Sequence, residues 1–67
     1  MNPQFAIGMR VLVARTRHGS VWATITMIDT IHRLLKVQWY DEEKECFAEK
    51  TIQFDEVLEN KGKIKLV

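Results

Sequence analysis

VWATITMI, residues 21 to 28, decides the fold of this 67-residue chain. Five of its side chains are β-branched, which crowds a helix and suits a pleated sheet. Val21, Ala23, Ile25 and Met27 fall on one face and Trp22, Thr24 and Thr26 on the other. That period of two predicts a half-buried strand with a tryptophan on its outer side.

The same alternation extends in both directions. Upstream, Met9, Val11 and Val13 alternate with Arg10, Leu12 and Ala14, predicting a first strand. RTRHGS, residues 15 to 20, reads as a loop in which Gly19 is free to take a positive φ. Downstream, Asp29 to Arg33 reads as a turn although it holds neither Gly nor Pro. Leu34 to Tyr40 then forms a third strand, with Leu35, Val37 and Trp39 on one side. DEEK is a tight connection, residues 45 to 50 a fourth strand, and Ile52 with Phe54 a fifth. Asp55 is placed to cap one helical turn, DEVL. Short strands at this spacing predict an all-β fold, a small five-stranded antiparallel barrel whose closure removes exposed edges. The barrel is assigned to residues 8–59, with 1–7 a flexible N-terminus and 60–67 a basic tail or linker.

Composition narrows the functional classes. Apolar residues make up 46% and charged residues 28%, the balance of a folded globular domain. No apolar run is long enough to span a bilayer and MNPQFAIG lacks the regions of a signal peptide, so the chain is read as intracellular, with no membrane partner. The single cysteine, Cys46, cannot form an internal disulfide and reads as a small buried apolar group. His18 and His32 read as solvated turn residues. No Gly-rich phosphate loop, paired metal ligands or Ser, His and Asp arrangement is present, so no enzyme, cofactor or metal is expected.

The net charge of +1 conceals a division. Residues 9 to 36 hold Arg10, Arg15, Arg17, Arg33 and Lys36 against one acid, Asp29, whereas residues 37 to 60 hold eight acids and two lysines. Within the acidic part, KVQWYDEEKECF carries three of the six aromatic residues. Trp22 starts the second strand, Trp39 and Tyr40 end the third, and Phe47 follows the connection. In an antiparallel meander these ends are neighbours, so Trp22, Trp39, Tyr40 and Phe47 are expected to gather at one rim with Asp41, Glu42 and Glu43. Aromatic faces beside carboxylates suit an ammonium ligand, each cation–π contact being worth ~0.5 to 2 kcal/mol. The same rings also serve as core, since each buries ~150 to 250 Å².

IGMRVLVAR, HGSVWATI and KVQWYDEEKECF together resemble the Tudor domains of the Royal family over residues 8 to 58. Polycomb-like Tudor domains look similar at VLVAR, GSVWATI and VQWYDEE. That resemblance implies a four-sided aromatic cage for methylated lysine, with Trp22, Trp39 and Phe47 at or within a residue of three walls and Arg15 or Thr16 at the fourth. A second resemblance, to the N-terminal segment of microtubule-depolymerising kinesins (the kinesin-thirteen family), rests on the VQWY strand end, the closing IQFDEVL and a start close to the initiator methionine. Where that family has a glycine- and lysine-rich connection, this chain has DEEKECFAEK.

The expectation is a monomeric, non-catalytic protein-interaction module, the N-terminal targeting domain of a larger protein such as a depolymerising kinesin. Its partner is a protein or peptide, methylated or not, held by Trp22, Trp39, Tyr40, Asp41 and Phe47. The alternative is a chromatin reader of methylated lysine or arginine. A third reading, single-stranded nucleic acid on Arg10, Arg15, Arg17 and Arg33, is disfavoured by a pI of about 7.9 and by aromatics lying nearer the acids than the arginines.

Overall fold

The computed structural model describes residues 5–15 and 19–62. Its strands are β1 (Arg10–Arg15), β2 (Gly19–Asp29), β3 (Leu34–Asp41), β4 (Cys46–Gln53) and β5 (Glu59–Gly62), with one 3-10 turn, Phe54–Glu56, before β5. They form a single antiparallel sheet in the order β4-β3-β2-β1-β5. The all-β, five-stranded architecture expected from the alternation is the one observed. Among the described residues β4 and β5 are not hydrogen-bonded to each other, so the curled sheet does not close into a ring and keeps two edges.

Alternation builds the core. Val11 faces Ala23 and Leu35 faces Ile52 across their strand pairs. Together with Met9, Val13, Ile25 and Val37 they form one buried cluster, sealed by Phe5, Ala6, Val21, Ile28, Trp39, Phe54 and Val57. Burying each of the larger aliphatic side chains contributes about 1.5 to 3 kcal/mol.

Three boundaries differ from the expectation. Phe5 and Ala6, assigned to the flexible N-terminus, pack on the core, and Phe5 meets the Phe54 ring at 5.0 Å. Ile52 continues β4, and the fifth strand is instead the polar segment Glu59–Gly62, whose pairing to the β1 edge no apolar alternation announces. The helical turn starts at Phe54, whose N–H donates to the Arg33 carbonyl at 3.1 Å, so Asp55 lies inside the turn and not at its cap. Glu56 folds back to accept from the Gln53 N–H at 2.6 Å. Residues 1–4, the Thr16–His18 part of the expected loop and the 63–67 part of the expected tail lie outside the described residues.

β2 carries an irregularity that sequence alternation misses. Ile25 pairs with Val37 but Met27 pairs with Lys36, so the register shifts at Thr26. An extra residue in one strand reverses the faces beyond it. Met27, expected inside, is therefore 48% exposed, and Ile28 packs on the core in its place.

The β2–β3 and β3–β4 turns share one construction. Asp29 ends β2 and Asp41 ends β3, each five residues before its partner on the next strand: Asp29 pairs with Leu34 and Asp41 with Cys46. Asp29 Oδ1 accepts from the N–H groups of Ile31 and His32, both at 3.1 Å. Asp41 Oδ1 accepts from Glu43 at 3.0 Å and Lys44 at 3.3 Å. The last turn residue is left-handed in both, Arg33 at φ 58° and Glu45 at φ 52°. The aspartate thus supplies the turn chemistry that Gly or Pro would otherwise provide.

Candidate functional site

The β3–β4 hairpin sorts the expected site residues by parity. Tyr40 lies opposite Phe47, and Trp39 lies opposite Ala48. Neighbours along a strand point to opposite faces. Trp39 therefore faces the core, where it is half-buried, and its indole Nε1 is buried without a hydrogen-bond partner among the described residues. Tyr40 and Phe47 face outward, 51% and 64% exposed. Their rings meet edge to face, with centroids 5.3 Å apart and planes at 80°. Trp22, opposite Leu12 on β2, shares the parity of Thr24, which pairs with Gln38 on the outer face of β3. The rim expected from strand order is thus divided by the sheet. Trp22, Tyr40 and Phe47 are on one face, and Trp39 and Phe47 are not brought together as walls of one cage.

Carboxylates surround the exposed pair. Asp41 is half-buried and committed to its turn, while Glu42, Glu43 and Glu45 are exposed on the turn itself. Glu49, two residues from Phe47 and on its face, lies 3.5 Å from Lys36 Nζ. Tyr40, Asp41, Glu42 and Glu43 line an open cleft of about 350 Å³ with Val21 and Arg15. Arg15, half-buried opposite Gly19, points to the inner side of the lip, and its Nε is buried without a partner among the described residues.

The remaining candidates are dispersed. Arg10 is exposed on the outer face opposite Thr24. Arg33 stands at the β2–β3 turn, the far end of β2 from Arg15, with its guanidinium carbon 5.9 Å from the Phe54 ring centroid. Arg17 lies outside the described residues, as does His18, so the three described arginines do not form one face. Cys46, expected to be buried, is exposed because it sits at the turn end of the sheet edge, opposite Asp41. His32 is exposed at its turn, with Nδ1 2.9 Å from Asp29 Oδ2. The Asp29 carboxyl is held below its ordinary value, first by the backbone N–H of His32 and then by the His32 ring.

A second cleft, of about 450 Å³, lies at the opposite end, between His32, Arg33, Gln53, Phe54 and Asp55. Sequence reasoning missed it because Arg33 and Phe54, far apart in sequence, are brought together by the seating of the 3-10 turn on the β2–β3 turn, through a backbone hydrogen bond and the guanidinium over the ring. Among the described residues no three His, Cys, Asp or Glu side chains are grouped to hold a metal ion, and no helix is long and apolar enough to cross a membrane.

Compared with protein-family models, with curated proteins and with solved structures, the chain matches none.

Proposed function

We propose that this chain is a non-catalytic protein-interaction module of Tudor-like build that serves as a targeting domain within a larger protein. The observation that carries the reading is the Tyr40–Phe47 pair, two large rings left more than half exposed on a hairpin whose turn is fixed by Asp41. Exposed aromatic groups on a rigid element, ringed by charge, are the usual makings of a contact surface. The microtubule-depolymerising kinesins are the parent class that fits the VQWY and IQFDEVL stretches, with this segment directing the motor to its site through a protein partner.

The test is a titration of isotopically labelled chain with a peptide panel, unmodified and lysine-methylated, followed by short single-stranded RNA. Peptide-induced shifts support the interaction reading. A response restricted to methylated peptides, lost on replacing Trp22 or Trp39 with the fold retained, would favour the chromatin reader. Shifts at Arg10 and Arg33 with RNA alone would overturn the protein-binding reading. In the parent gene, an adjoining motor domain supports the kinesin assignment and adjoining zinc-bound fingers exclude it.

A further inference from the structure

Six large apolar side chains are exposed among the described residues: Ile7, Met27, Ile31, Tyr40, Phe47 and Leu58. Tyr40 and Phe47 are set apart by lying directly opposite each other on adjacent strands and in ring contact. An edge-to-face pair is worth ~0.5 to 1.5 kcal/mol beyond area burial, so some exposure is offset within the fold. The outward surface that remains is what a partner can cover.

The charge around the pair is one-sided. Asp41, Glu42, Glu43, Glu45 and Glu49 stand on the hairpin or its turn, against three cations: Lys44 of the turn, Lys36, which is engaged with Glu49, and Arg15, which lines the cleft from the inner side of the lip. Lys50 does not offset them on this face, because parity turns it inward opposite Val37. A negative field over exposed aromatic rings attracts cations and opposes anions, and it acts within a Debye length of about 8 Å at physiological salt.

We infer that the outer face of the β3–β4 hairpin docks a lysine- or arginine-rich protein segment in extended conformation, with cationic side chains laid on Tyr40 and Phe47 and reaching the Glu42 carboxylate. This inference rests on the interaction-module reading above and adds the face and the chemistry of the partner. Methylation is not required by it. The edge-to-face rings leave an open, outward-facing surface beside carboxylates, which suits an ordinary ammonium or guanidinium, and Trp39, on the other face of the sheet, does not complete an enclosing box. An extended segment fits because side chains two residues apart repeat at the spacing of Tyr40 and Gln38 on β3, or of Phe47 and Glu49 on β4.

The probe is a short peptide alternating lysine and serine, titrated into labelled chain at low and at high salt. Acidic, lysine-trimethylated and single-stranded RNA ligands of matched length serve as comparisons. The expected result is shifts at Tyr40, Phe47 and residues 42–45, with affinity falling as salt rises. Phe47→Ala and Tyr40→Ala should each weaken binding about threefold to tenfold, the range of one or two exposed cation–π contacts. Glu42→Lys with Glu43→Lys should weaken it further, and Ile31→Ala should leave it unchanged. Phe47→Leu, which keeps an apolar side chain in place, guards against reading a folding defect as lost binding.

Binding that is unaffected by the Phe47 and Tyr40 changes, or confined to the trimethylated peptide or to RNA, would overturn the inference. If the basic peptide is silent while other protein segments shift resonances elsewhere on the sheet, the inference falls and the interaction-module reading stands. If no peptide of any class perturbs the chain, both fall.

Discussion

Lys50, on β4, donates from Nζ to the carbonyl oxygen of Ala14, on β1, at 3.4 Å. Two strands lie between them in the sheet order. The contact therefore spans the curl of the sheet, and it does so with a side chain where no backbone ladder runs. Replacing Lys50 with alanine removes one long, partly exposed hydrogen bond, so the expected loss is at most ~1 kcal/mol in urea unfolding. A loss of several kcal/mol would mean that this bridge holds the curl.

Trp39 and Phe47 should behave oppositely on truncation. Trp39→Ala empties part of the core and should cost about 3 kcal/mol, a large share of the stability of a small domain. Phe47→Ala should cost less than about 1 kcal/mol, chiefly the edge contact to Tyr40. Equilibrium unfolding of both variants decides the matter, and equal losses would contradict the assignment of Trp39 to the inner face.

The shifted register at Thr26 makes a similar comparison on β2. Ile28→Ala should cost about 2 kcal/mol, because Ile28 packs on the core. Met27→Ala should stay within about 0.5 kcal/mol. Uninterrupted alternation would give the reverse order.

Asp29 predicts a pH dependence of definite sign. Its carboxyl is depressed by the backbone N–H and the ring of His32, so ionisation is favoured more in the folded chain than in the unfolded one. The stability it contributes is fully present above the unfolded aspartate value and is lost as pH falls through the depressed folded value. Carbon-detected titration should place Asp29 below the free-aspartate range, and Asp29→Asn should flatten the acid limb of the stability profile.

Glycine in place of the left-handed residue should relieve each turn. Arg33 and Glu45 hold positive φ without the freedom of glycine. Arg33→Gly also removes the cation over Phe54, so Glu45→Gly is the cleaner test. It should raise the urea midpoint or leave it unchanged, and a clear drop would show that the Glu45 side chain makes its own contribution.

These comparisons mark what the sequence made legible. Alternation in Val11, Val13, Ala23, Ile25, Leu35 and Val37 identified most of the buried cluster, because burial on one face of a strand is a local, repeating demand. It could not place β5, since Asn60 and Glu59 are selected by the β1 edge they meet and not by a face they bury. The aromatic residues of the candidate site were legible as a group and as neighbours of acid. Alternation already put Tyr40 on the opposite face from Trp39, but which of the two Phe47 would join was not readable, because strand order alone brings ends together without giving the β3–β4 register. Adding the parity of Trp39 with Leu35 and Val37 to the Tyr40–Phe47 register makes the division readable.

The matching architecture of the two turns separates the electrical character of the lip from its shape. Exchanging Glu42–Glu45 for the Thr30–Arg33 sequence would keep the anchoring aspartate and a side chain that already tolerates the left-handed position. Such a chimaera would present the same two rings on a neutral-to-cationic rim, so attraction by charge and adhesion by rings could be weighed independently in one scaffold.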